Sequence, residues 1–295
     1  MKKIIAAAVA AAFVAPVWAA DVTLSGDLEM RWTQEDGEGL AASSNDGDIT
    51  VTASEELANG MAVSAKIGVE DAQTNGGIGG DVELNISGPF GTISLGEIDP
   101  AVNQVDELAS PGDILGTTGA GNVGTPGGVT SINSIGWTLP AMVEGLTVIV
   151  SAGHEALTSD EASANERQVT SYGVSYSVGG LTVATGTIEA DGQNYDGSYV
   201  GARYTMQGLT VGMDSATNDG ADDTDTQTLS AAYNMGATTL FVESNETDTS
   251  GASATTDTVV GLTHVVGGGL SVRFESMSSD TANTDSNAVA VIYAF

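Results

Sequence analysis

The chain has 295 residues, no cysteine, 39 Asp and Glu against seven Lys and Arg, and a formal net charge of −32. The lack of cysteine excludes a disulfide framework, a thiolate metal site and a cysteine nucleophile, and a surface this acidic repels nucleic acid and suits small cations or a saline medium. Only 16% of residues are charged, below the roughly 25% of ordinary soluble domains, while mean hydropathy is slightly positive, so the apolar residues must be widely dispersed.

Residues 1–20 read as a secretory signal. Lys2 and Lys3 form the positive end, residues 4–15 an apolar run too short to span a bilayer as a helix, and Val17-Trp18-Ala19 a small-residue cleavage pattern. The expected mature chain, residues 21–295, therefore begins outside the cytoplasm and is more acidic still.

From there the chain alternates. Val22, Leu24, Leu28, Met30 and Trp32 share one parity, and Thr23, Ser25, Asp27, Glu29 and Arg31 share the other. A period of two predicts a strand with one apolar and one wet face. The pattern returns over 49–53, 61–69, 82–86 and 93–95, and resumes at 131–139, 146–153, 169–178, 181–188, 198–206 and 209–216. Strands are also predicted over 227–235, 238–244, 258–266, 270–276 and 287–295, which makes sixteen.

The connections fall into two classes that alternate along the chain. Short Gly-rich turns, such as Asn59-Gly60, Gly179-Gly180, Gln207-Gly208 and Met235-Gly236, take turns with longer acidic stretches at 34–47, 71–80, 154–168, 190–197, 217–226, 245–257 and 278–286. Two classes of connection imply two different ends, as in a membrane barrel whose rims face different compartments; an even number of antiparallel strands lets one chain close with both termini on one side. A secreted β-sandwich or solenoid is the competing fold, but no fixed repeat is present. Residues 76–81 resemble one turn of a calcium-binding nonapeptide without a second copy. One stretch breaks the rhythm: residues 96–131 are too long for a turn and too poor in aliphatics for a core, and loops of that length are usually functional.

DVTLSG at the start of the mature chain, PFGTISLGEID before the long insertion, SINSIGWTLP after it and the terminal phenylalanine of VAVIYAF together resemble the general bacterial porins of Gram-negative outer membranes. The resemblance implies an all-β, sixteen-stranded antiparallel transmembrane barrel, assembled as a homotrimer in outer-membrane lipid. Its third external loop, here 96–131, would fold inward and set the size and charge of the opening. It also implies that Phe295 is read as an assembly signal, and that the function is passive diffusion of small hydrophilic solutes and ions. Two departures stand out: the chain is short for the family, and it lacks the dense arginine ladder many members set opposite the constriction loop.

On that reading the constriction carboxylates are Glu97, Asp99, Asp106, Glu107 and Asp113, with residues 102–108 forming a short helical turn. Four basic residues occupy wet parity, Arg31, Lys66, Arg203 and Arg273. Three of them, Arg31, Lys66 and Arg273, sit on strands that adjoin once the barrel closes, where they form either a basic arc facing the acidic loop or local pairs with carboxylates of their own wall. The wet-face acids Asp27, Glu29, Glu70, Asp81, Glu83 and Glu275 outnumber them, so cation preference is expected. The acidic outer loops offer hard oxygen ligands to divalent cations, though no spacing matches a defined calcium loop. Trp32, Trp137, Tyr176, Tyr204, Tyr233, Tyr293 and Phe295 fall on apolar parity near strand ends, as interfacial girdles do.

Enzymatic readings find little support. No G-x-S-x-G, H-E-x-x-H or dinucleotide fingerprint occurs, so no catalytic residue, cofactor or resident metal is expected. His154 with Glu155 and Ser159 is the one rim-hydrolase candidate, and His264 occupies a girdle position. The alternative from another class is a surface-structural or adhesive barrel whose acidic loops bind cations around a plugged lumen.

Overall fold

The computed structural model describes residues 21–57, 59–69, 78–110, 115, 132–155, 167–190, 195–219, 223–281 and 285–295. The expected signal segment, Glu70, Asp113 and Ser159 lie outside them. Sixteen strands follow in order: β1 (Asp21–Glu35), β2 (Ala41–Glu56), β3 (Ala62–Val69), β4 (Ile78–Gly88), β5 (Gly91–Ile98), β6 (Ile132–Thr138), β7 (Leu146–Glu155) and β8 (Arg167–Val178). The second half comprises β9 (Leu181–Ala190), β10 (Tyr195–Met206), β11 (Leu209–Asp219), β12 (Thr224–Met235), β13 (Thr238–Thr249), β14 (Thr255–Gly267), β15 (Leu270–Ser279) and β16 (Ser286–Ala294). Each pairs antiparallel with its chain neighbour, and β1 pairs with β16, closing a barrel.

The two faces of this sheet are inverted relative to a soluble protein. Leu229 is 62% exposed and Val200 59%, together with Val22, Leu28, Val82, Ile135, Met213 and Phe274. On the opposite parity Glu243 and Glu275 are fully buried, as are Ser171, Asp214, Thr228 and Asn245 nearly so. A closed sheet buries its concave face, so the polar side chains point inward and the aliphatic ones outward. An apolar belt of that extent is stable only against lipid. Strands of 10–13 residues, as in β7 to β15, match the roughly 9–11 residues a tilted strand needs to cross the hydrocarbon.

The short turns are tight for identifiable reasons. Gln207 and Gly208 have φ of 49° and 85°, the pair of positive values that matches the twist of a two-residue hairpin. Side chains five residues apart then meet across the turn: Ser87 with Thr92 (2.9 Å), Ser177 with Thr182 (3.0 Å), Thr205 with Thr210 (3.1 Å), and Asn234 Nδ2 donating to Thr239 (3.3 Å). Tyr176, Tyr204, Tyr233, Tyr293 and Phe295 lie outward near this rim, all of them exposed. His264 joins them in position, its Nδ1 2.9 Å from Thr238 Oγ1.

The other rim differs from the expectation. The alternation makes residues 34–47, 217–226 and 245–257 connections, yet β1 continues to Glu35 and β2 starts at Ala41, β11 reaches Asp219 and β12 starts at Thr224, and β13 and β14 meet across residues 250–254. The ladder continues with Thr224 opposite Thr249 and Asp225 opposite Asp248. Beyond the lipid both faces are wet, so the apolar alternation ends while the hydrogen bonds do not. Threonine, β-branched, suits an extended backbone in either setting.

Candidate functional site

β5 runs to Ile98, two residues beyond the expected start of the insertion, and Ile98 is buried over Gly136 of β6. Residues 99–110 then lie along the buried face of β7 to β11. Val105 and Asp106 both donate backbone N–H bonds to the Val102 carbonyl (3.0 and 3.1 Å), one helical turn that puts Ala101, Val102, Val105, Leu108 and Ala109 on one side. These residues are buried, the first four within a cluster that includes Ile149, Val169, Ile188 and Tyr199 of the wall. The wall is hollowed to receive them. A Cβ on Gly173 would meet the Ala101 carbonyl, one on Gly186 would reach Val102 Cγ2 at 2.6 Å, and one on Gly212 would reach Ala109 Cα at 2.6 Å.

Four wall side chains each accept one backbone amide of the segment. Ala101 N donates to Ser151 Oγ (2.9 Å), Val102 N to Ser171 Oγ (2.9 Å), Leu108 N to Tyr199 Oη (3.1 Å) and Ala109 N to Asp214 Oδ2 (2.6 Å). Ser171 in turn donates to the Thr187 carbonyl, and Tyr199 to Asp214 Oδ1 (2.6 Å). Each such bond contributes about 1 kcal/mol net, and a buried amide left unmatched costs about 1–3 kcal/mol, so the four act together. A fifth contact lies four strands on: Leu115 N donates to Glu275 Oε2 (2.8 Å), and its side chain packs against the buried pair Ala288 and Ala290.

The other side of the segment carries charge. Asp99, Gln104 and Glu107 are exposed, and Asn103, Asp106 and Ser110 half-buried. Glu97 does not belong with them: it is a β5 residue opposite Asn133, on the parity of Ile93 and Leu95, because the strand continues past it.

The basic residues sit on the inner parity but form no level arc. Arg31 is opposite Ala290, which is opposite Arg273, so these two share a row two strands apart. Lys66 is opposite Thr52, itself opposite Thr23, an offset from Arg31 of roughly 26 Å along the strand. Closing a barrel makes strands adjacent without making equal heights, because the ladder is sheared. Each of the three instead stands beside a carboxylate. Arg31 Nε is 2.8 Å from Glu29 Oε1, Arg273 Nε is 3.9 Å from Glu275 Oε1 while donating to Thr263 Oγ1 (2.9 Å), and Lys66 is directly opposite Glu83. Arg273 also lies over the Phe241 ring, 6.0 Å from its centroid. Arg203 shares inner parity with Tyr199 and is exposed, opposite Gly212.

Asp27 is half-buried on the inner parity, opposite Asp48, and Asp81 is a backbone position of β4. Inner-face residues that the sequence reading did not single out are Asp48, Ser151, Ser171, Tyr199, Asp214, Glu243 and Asp257. All follow from parity, and Tyr199 has a further signal: it stands between Gly197 and Gly201 on its own face, and a Cβ on Gly201 would strike the Tyr199 hydroxyl.

A family model described as Gram-negative porin matches residues 6–284. Among solved structures, the trimer form of OmpT, an outer membrane protein of Vibrio cholerae, superimposes with a TM-score of 0.76 at 14% identity, covering 94% of this chain and 100% of its own. A porin refined at 1.8 Å resolution gives 0.73 at 18%, covering 93% and 100%. A mutant of the Rh. blastica porin gives 0.70 at 21% identity, again over 93% and 100%. The curated protein sequences contain no significant match.

Proposed function

Because the chain belongs to the Gram-negative porin family, we propose that it is a passive, cation-preferring diffusion channel for small hydrophilic solutes in the outer membrane, narrowed by the inserted segment. The observation that carries this reading is the amide-anchored course of residues 99–110 along the inner wall, with Asp106 and Glu107 on its other side. A pore selects ions by the potential at its narrowest point. Among the described side chains, the inner carboxylates Asp27, Glu29, Asp48, Glu83, Asp214, Glu243, Asp257 and Glu275 outnumber the inner cations Arg31, Lys66, Arg203 and Arg273. Pairing within the wall cancels much of what those cations would contribute, and so it favours a negative potential over a transverse field. Export behind a cleaved signal at residues 1–20 and assembly as a homotrimer complete the reading, the latter supported by the trimeric OmpT likeness. No bond-making chemistry is assigned to the chain.

The test is single-channel recording of refolded residues 21–295 in a planar bilayer under a KCl gradient. A reversal potential on the cation side is expected, and combined Asp106→Asn, Glu107→Gln and Asp113→Asn should move it toward zero without lowering conductance to nothing. Anion preference would remove the charge argument and spare the fold. A folded, heat-modifiable barrel without conductance would transfer the assignment to a plugged, surface-structural role.

A further inference from the structure

We propose that Tyr199 and Asp214 are positioning residues that set ion selectivity by fixing the direction of the Glu107 side chain; this rests on the channel reading above. Two successive amides, those of Leu108 and Ala109, are taken by two wall side chains that are themselves joined, Tyr199 donating to Asp214. The result is a closed clasp on the residue pair that immediately follows Glu107. On the other side, the single turn begun at Val102 ends at Asp106. Glu107 is therefore the joint between a fixed turn and a fixed clasp.

Its backbone carries the mark of that constraint. Glu107 has φ of 56°, and the only other described non-glycine residue with positive φ is Gln207, in a hairpin turn. A glutamate leaves the left-handed region unless its surroundings hold it there. Here the hold comes from the clasp, with a weaker contribution from Ser110 N donating to the Glu107 carbonyl at 3.3 Å. Released, Glu107 would rotate to an ordinary conformation and carry its exposed carboxylate to a different part of the lumen.

Tyr199→Phe tests this, because it removes the hydroxyl that joins Leu108 to Asp214 while leaving the ring and both carboxylates in place. In bilayer recordings the cation-over-anion permeability ratio of Y199F should fall toward unity, as it should in Glu107→Asn, since asparagine tolerates the left-handed region but carries no charge. The two changes share one cause, so Y199F added to E107N should produce no further shift. Leu108→Pro gives a second route that leaves the wall untouched: it deletes the amide donor and drives the preceding residue to extended backbone, and it should reproduce the Y199F ratio.

Y199F and L108P with wild-type selectivity, in a channel where E107N loses it, would overturn the assignment. So would additive shifts in the double variant, which a merely structural tyrosine would give. A wild-type protein that folds and does not conduct would remove the channel reading and this assignment together, an outcome separable from the others because no variant is needed to see it.

Discussion

Gly26→Leu will leave the refolded chain with its barrel open, the folded fraction falling more than about tenfold, a loss of about 1.4 kcal/mol or more. Gly26 and Phe295 make the last pair of the seam: Gly26 N donates to the Phe295 carbonyl (3.0 Å) and Phe295 N to that of Gly26 (2.9 Å). A Cβ at Gly26 would run into the Asp48 carbonyl on the β2 side and come within 2.9 Å of the Phe295 ring on the other. The ring could turn; the backbone of β2 could not without leaving the ladder. Overpacking a core costs about 1–3 kcal/mol, but here relief must come from parting strands. An opened seam then exposes the facing backbone groups of β1 and β16 to lipid, each at several kcal/mol.

The measurement is the heat-modifiable fraction on cold gels after refolding into detergent. Gly47→Ala is the matched control, since its Cβ would meet only Leu28 Cδ2 at an ordinary 3.5 Å, and it should fold as the wild type does. An equal folded fraction in Gly26→Leu would show that the seam does not depend on this pair. Phe295→Ala separates closure from recognition: it keeps both backbone bonds, so it should refold in vitro, and a defect confined to cells would mark the ring as an assembly signal.

Legibility along this chain follows what the alternation reports. Period two records which side chains meet lipid, so the outward positions of Leu28, Val82 and Tyr204 could be read directly, and with them the number of strands. It says nothing of where a ladder ends once both faces are wet, which is why the acidic stretches around Asp219 and Asp248 read as loops and are strand. For the same reason the end of β5 is not legible, and Glu97 belongs to that strand and not to the inserted segment. Parity also leaves height open: Arg31 and Lys66 share a face and a sector of the barrel, but the shear separates them, and Arg31 meets Glu29 two residues away. The anchors of the inserted segment were hardest to see, because Ser151, Ser171 and Asp214 act by accepting backbone amides, which any sequence at 101–109 other than proline supplies.

That same dependence on backbone makes Gly173 the point where the segment can be evicted without touching the barrel. Valine at 173 would put its Cβ against the Ala101 carbonyl, within 2.9 Å of Ala101 C and 3.1 Å of Val105 Cγ2. All three atoms belong to the inserted segment and none to a neighbouring strand, so the strain falls on the docked loop. Displacing Ala101 and Val102 forfeits two amide bonds and the burial of a valine side chain, together about 3–5 kcal/mol, enough to depopulate that contact more than a hundredfold. Single-channel conductance of Gly173→Val should therefore rise well above wild type while the reversal potential moves toward zero, and the heat-modifiable fraction should stay unchanged because the outward belt and the seam are intact. Gly173→Ala meets the same carbonyl with less bulk beyond it and should shift both quantities in the same direction by less. Wild-type conductance from a folded Gly173→Val barrel would mean that residues 99–110 line the wall without narrowing the path.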